Sequence, residues 1–288
     1  MRQSRGGAPP AEPAFLQSAA GAIFTLFYHP RAEHARGGAV LIVPPFAEEM
    51  NKSRRMFALL ARDLACLGYG VMLVDLYGTG DSEGEFVEAR WAMWKEDIAR
   101  SAEWLQGQGA ESFYLLGLRL GAPLALDVAK NFAFPLQRIV LWQPVTSGSV
   151  TLTQFLRLRL AASMMDSIKE KETTEQLRRV LFQERVPLEV GGYELAPGLA
   201  SAIEALNLAA LGEAGLPPID WFEVVSAEGR PLPPASQRVT ELWEGEGIEV
   251  HTQTIAGEPF WSAPEVTVVP ALLSATAAIF QSQLSDVR

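Results

Sequence analysis

From about Phe15 onward, apolar and polar positions alternate in a regular way. Residues 15–28 hold two short strand-like runs around Ala20-Gly21. Ala39–Val43 is an unbroken apolar run with β-branched residues, the pattern of a strand buried on both faces of a parallel sheet. Residues 52–67 place apolar side chains at helical spacing among charges, and Val71–Asp75 reads as a second buried strand. An amphipathic helix over 90–106 follows, then a strand at Phe113–Leu116 running into a helix near Leu120, then a strand at Arg138–Trp142. Strand and helix alternating at this spacing predict βαβ units and a parallel sheet. The rhythm then breaks. From Val145 to about Pro218 the chain reads as helical and apolar-rich, with no buried-strand run. It resumes with a strand at Asp220–Val225, a helix at 235–244, a strand at Ile248–Ile255 and a closing helix at 270–284. A long insertion between two sheet strands is where a lid or cap sits. The expected organisation is an α/β body over 15–143 and 219–288, a cap over 144–218, and a flexible Gly, Pro and Ala tail over 1–14.

Composition changes this picture mainly by exclusion. Of 288 residues, 48% are hydrophobic, which is ample for a core of this size. A net charge of −10, with no long Lys/Arg cluster, argues against a nucleic-acid partner. The single cysteine, Cys66, excludes an internal disulfide framework and a multi-cysteine metal site, and only three histidines argue against a zinc site. Neither a metal nor a cofactor is expected. No stretch approaches the roughly 18 consecutive apolar residues of a membrane span. The arginines near the amino terminus are not followed by an apolar run, so the expected setting is cytoplasmic.

Gly78-Thr79-Gly80-Asp81-Ser82-Glu83-Gly84 follows a strand, but a dinucleotide fingerprint needs a third glycine where Glu83 stands. Counted from Asp75, the same segment resembles the D-x-x-G-x-G-x-S-x-G loop of α/β-hydrolases, whose role is structural. Ser82 is assigned to that loop, and Cys66 to packing at the end of a helix. The resemblance implies an α/β-hydrolase fold: a mostly parallel central sheet flanked by helices, with a helical cap inserted. It also implies a place for each part of the chemistry. The oxyanion-hole amides fall on Phe46, in Val43-Pro44-Pro45-Phe46, and on Leu120.

The nucleophile elbow G-x-S-x-G aligns with Gly117-Leu118-Arg119-Leu120-Gly121, so arginine replaces the serine. A guanidinium stays protonated and offers donors only, so it cannot attack a carbonyl. The acid position, in Ser226-Ala227-Glu228-Gly229, falls on Gly229, with Glu228 one residue away. The histidine position, in the turn Gly257-Glu258-Pro259-Phe260-Trp261, falls on Glu258. His251 lies about seven residues too early and reads as a strand histidine. A sheltered arginine needs a carboxylate. Glu258 is the first expected partner, with Glu48 and Glu49 as competitors and Trp261 at the pocket edge. Two readings stay open: the pair plugs a dead site, or Arg119 binds an anionic ligand with its bidentate fork. The stretch Phe155–Leu160, with Met164 and Met165, reads as lid packing or as an apolar pocket wall.

Three blocks carry a closer resemblance: Val43-Pro44-Pro45-Phe46-Ala47-Glu48-Glu49-Met50-Asn51-Lys52-Ser53-Arg54, Gly117-Leu118-Arg119-Leu120-Gly121-Ala122 and Leu141-Trp142-Gln143-Pro144-Val145. Together they resemble the second type of exosortase A system-associated hydrolases. That resemblance implies a bacterial setting beside exopolysaccharide synthesis and protein sorting, with an unidentified small molecule or protein as partner. The first functional reading is a degenerate hydrolase acting by ligand or partner binding. The alternatives are an active ester or amide hydrolase using a water activated by Glu258 or Glu48, and an interaction protein whose cap docks on a sorting component.

Overall fold

The computed structural model describes residues 10–164 and 172–282. Eight strands form one sheet: β1 (Ala11–Gln17), β2 (Ala22–Tyr28), β3 (Gly38–Val43), β4 (Gly70–Val74), β5 (Ser112–Leu118), β6 (Leu136–Trp142), β9 (Ile219–Val225) and β10 (Val250–Ala256), in the order β1-β2-β4-β3-β5-β6-β9-β10. The six strands from β4 to β10 run parallel, and the β1–β2 hairpin joins them antiparallel through β2 and β4. The unbroken apolar runs lie at the centre, since every residue of β3 is buried, as a strand covered on both faces requires.

Helices α1 (Glu48–Cys66) and α8 (Pro270–Ser282) cover one face, packing Met56, Leu60, Leu64, Leu272 and Phe280 against Val40, Ile42, Leu116 and Trp142. The opposite face carries α2 (Trp91–Gly107), α3 (Gly121–Ala129) and α7 (Pro234–Gly245). This is the α/β-hydrolase arrangement that the sequence predicts.

Two expectations change. β1 begins at Ala11, inside the stretch read as a tail, and pairs with β2 along its whole length. It lies on the sheet edge with most side chains exposed, so its pattern carries little apolar signal. Residues 1–9 lie outside the described residues. The segment between β6 and β9 is not wholly helical either. It contains α4 (Gly148–Met164), α5 (Thr174–Phe182), the hairpin β7 (Leu188–Val190) and β8 (Tyr193–Leu195), α6 (Pro197–Glu204) and a 3-10 turn at Leu208–Leu211. Gly191 and Gly192 turn the hairpin with φ of +59° and +88°, a two-residue left-handed turn that suits glycine. Leu152, Leu156, Leu181, Leu199 and Ile203 of this segment share one core with α2 and α3. Met165 and the last residues of the expected closing helix, 283–284, lie outside the described residues, as does the side chain of Met164.

The Asp75–Gly84 loop is structural in detail. Asp75 Oδ2 accepts from Arg54 Nη2 (2.8 Å) and from the Asp81 amide (3.0 Å), and Ser82 Oγ accepts from the Phe24 amide (2.8 Å). Cys66, expected to be buried, is half-buried at the end of α1.

Candidate functional site

The elbow survives the loss of its serine. Between β5 and α3, Arg119 holds φ at +54°, the left-handed backbone of a sharp strand-to-helix turn and an uncommon one for a residue with a side chain. Its amide donates to Trp142 O (3.0 Å), and its carbonyl accepts from Ala122 (3.1 Å) and Val145 (3.3 Å). The flanking glycines permit the close approach. A Cβ on Gly117 would sit 2.4 Å from Gly121 O, and one on Gly121 2.4 Å from Val43 O. Ala47 and Gln143, at φ of +52° and +44°, also line cavities beside Arg119. Left-handed backbone at three side-chain-bearing residues of one site is the concentration expected where geometry serves a ligand.

The carboxylate beside Arg119 is Glu49. Arg119 Nε donates to Glu49 Oε1 at 3.1 Å, the side chains being 18% and 27% exposed. Burial pushes the Glu49 carboxyl above the ordinary glutamate range, and the Arg119 charge and hydrogen bond only partly oppose this. Glu258, the first expected partner, is exposed and takes a long contact from Thr267 Oγ1 (3.4 Å) instead. It follows β10, the outer strand, whereas Glu49 starts α1 directly after β3 at the sheet centre. Glu48 turns to other partners, accepting from Asn51 Nδ2 (3.0 Å) and Tyr193 Oη (3.3 Å). Trp261 lies against the guanidinium, 5.6 Å from its centre. Among the described residues, the two terminal nitrogens of Arg119 have no protein partner, and the Phe46 and Leu120 amides donate to no protein group.

Two cavities meet at Arg119. One, of about 280 Å³, is walled by Phe46, Phe155, Leu158 and Trp261, with Glu49 and Lys52 at its edge. The other, of about 650 Å³, lies between the ends of β6 and β9, α7 and α4, and its polar walls include Gln143, Glu223, Ser236, Asn207 and Arg238. Thr151 and Gln154 of α4 border both.

Gly229 and Glu228 are exposed on the loop after β9 and line neither cavity. The carboxylate that β9 brings to the site is Glu223, which the sequence reading missed. It is 1% exposed, and its Oε1 accepts from Trp221 Nε1 (2.9 Å) and Ser236 Oγ (2.5 Å). Its Oε2 is buried with no partner. Burial pushes this carboxyl up as well, while Ser236, Trp221 and the Arg119 charge pull it down. Two acids, Asp220 and Glu223, inside the otherwise apolar strand Ile219–Val225 were the available signal, because buried acids are rare. His251 stands exposed on β10 beside Glu249 (2.8 Å) and lines neither cavity. Among the described residues, no group of three or more His, Cys, Asp or Glu is placed to hold a metal ion, and no helix is long and apolar enough to cross a membrane.

Known proteins agree with this geometry at the level of fold. The family described as serine aminopeptidase, S33, matches residues 33–190, more than half of the chain. No curated protein sequence matches. Among solved structures, the chain is similar to Est1E from Butyrivibrio proteoclasticus with ferulic acid bound (TM-score 0.68, 12% identity, covering 94% of this chain and 99% of that one). It is similar also to a putative hydrolase from Agrobacterium vitis S4 (TM-score 0.59, 18% identity, 94% and 99%). A third is XC6422 from Xanthomonas campestris, described as an α/β serine hydrolase without a lid (TM-score 0.56, 13% identity, 96% and 94%).

Proposed function

We propose that this chain, which belongs to the serine aminopeptidase S33 family, has exchanged acyl transfer for the binding of an organic anion at Arg119. The observation that carries this is the state of the guanidinium. It sits on a retained elbow, ties one nitrogen to Glu49, and leaves two forked donors beside two cavities. A plug fills the space that substrate once used, and here the space remains. The unengaged Phe46 and Leu120 amides supply further donors, inherited from an oxyanion hole and now directed at a ground-state anion. The described residues 144–164 and 172–218 act as the lid over this anion, with α4 walling both cavities. The blocks that resemble exosortase A system-associated hydrolases support a role beside exopolysaccharide synthesis and protein sorting.

Acyl transfer needs a nucleophile with a general base in hydrogen-bond reach, and Arg119 supplies neither. A fluorophosphonate probe is expected to label no serine, and a p-nitrophenyl ester panel to show no turnover above a heat-killed control. Arg119→Ser alone is expected to stay inactive, because no histidine lines the cleft. Stoichiometric labelling at Ser236, whose Oγ contacts Glu223, or at any other serine would overturn this reading.

A further inference from the structure

We infer that the larger cavity receives the body of the ligand and that the ligand is a hydroxylated organic anion. This rests on the reading of Arg119 as an anion receptor and adds the chemistry of what the anion is attached to.

A buried oxygen without a partner costs free energy; Glu223 lines the larger cavity, and among the described residues its buried Oε2 has no partner while Oε1 is fixed by Trp221 and Ser236. The side chain therefore cannot rotate to satisfy itself without abandoning two donors. A ligand in the cavity that Glu223 lines can supply its complement. An ammonium group suits only the ionised carboxylate. A hydroxyl donates and accepts, so it satisfies Oε2 in either protonation state.

The rest of the wall is rich in donors. Gln143 Oε1 accepts from the Val224 amide (2.7 Å) and Asn207 Oδ1 from the Ala209 amide (3.2 Å), so each leaves its NH₂ group for the cavity. Arg119 and Arg238 add two guanidinium groups against the one carboxyl of Glu223, and Arg238 has no protein partner among the described residues. The first turn of α7 presents its positive dipole end on the same wall. A ligand matched to this wall is negative at the Arg119 end and carries several acceptors that also donate. Hydroxylated carboxylates and sugar phosphates share that chemistry. The cavity, at about 650 Å³, lies within the range of small-molecule sites.

Matched probes test this by calorimetric titration of the full chain: D-gluconate against hexanoate, which has the same carbon number and no hydroxyls, and D-glucose 6-phosphate against inorganic phosphate. At least one hydroxylated probe is expected to bind about tenfold or more tighter than its match, the scale of one or two added hydrogen bonds to charged groups. Whichever pair shows the gain identifies the charged group as carboxylate or phosphate. Ala235→Phe, which fills the larger cavity away from Glu49 and Trp261, is expected to remove that gain and leave hexanoate binding unchanged. Arg238→Ala, at an exposed position that tolerates truncation, is expected to reduce it, and Glu223→Gln to preserve most of it.

Equal affinities within both pairs would overturn the inference while leaving anion binding at Arg119 intact. So would a gain that survives both Ala235→Phe and Arg238→Ala. Tighter binding of β-alanine than of gluconate, lost in Glu223→Gln, would replace the hydroxyl with an ammonium. Hydroxylated-probe binding that persists in Arg119→Met would overturn the shared reading of Arg119 instead.

Discussion

Arg119 and Glu49 form a pair that is sheltered but not sealed, and their exposures decide what its loss costs. Fully buried pairs lose about 3–5 kcal/mol when one partner is removed, and exposed ones about 0.2–1 kcal/mol. Glu49→Ala leaves a guanidinium alone beside a helix amino terminus, and is expected to destabilise by about 1–3 kcal/mol in thermal unfolding. Arg119→Met is expected to cost under about 1 kcal/mol, because a carboxyl can escape its lost partner by taking a proton. The sign of the pH dependence follows. A carboxyl whose folded value is raised binds its proton more tightly when folded, so stability increases as pH falls through the raised range towards about pH 4.3. Removing Arg119 raises Glu49 further, so Arg119→Met should gain more stability than wild type between pH 7 and pH 5. A smaller gain would mean that Arg119 does not hold down the Glu49 carboxyl.

The elements around this pair were largely legible in the sequence, for identifiable reasons. The central strands were readable as apolar runs and the elbow as Gly117 and Gly121, since both signals are local. The start of the edge strand β1, residues 11–14, was hidden because an exposed edge needs few apolar residues, and β7–β8 because three-residue strands carry no period. Arginine at the nucleophile position was plain in the sequence. Its partner was not, because choosing Glu49 over Glu258 depends on which strand lies at the centre of the sheet, and that is a tertiary fact. Glu223 is hidden for the opposite reason: the resemblance points to the loop after β9, while this acid lies within the strand. The elbow itself gives a prediction at this scale. Gly121→Ala brings a methyl group within 2.4 Å of Val43 O and 2.5 Å of Pro44 O, both backbone atoms. Overpacking against backbone is expected to cost about 1–3 kcal/mol or more in denaturant unfolding. Full stability in Gly121→Ala would show that β5, α3 and the Val43–Pro44 segment are not locked together.

At the scale of the molecule, the sheet delivers the parts of the site from separate segments: Glu49 after β3, Arg119 after β5, Gln143 after β6 and Glu223 within β9. In the segment between β6 and β9, α4 lines both cavities, and its buried leucines share the core of the body. Within this frame Arg119 is the proposed receptor. Calorimetric titration of hexanoate and of inorganic phosphate into wild type and into Arg119→Met, with the unfolding temperature of each recorded, tests that most directly. Wild type is expected to bind at least one of these anions, and Arg119→Met to weaken this about tenfold or more while remaining folded, as loss of a charged bidentate contact requires. Equal binding by the two proteins, or none by wild type, would contradict it.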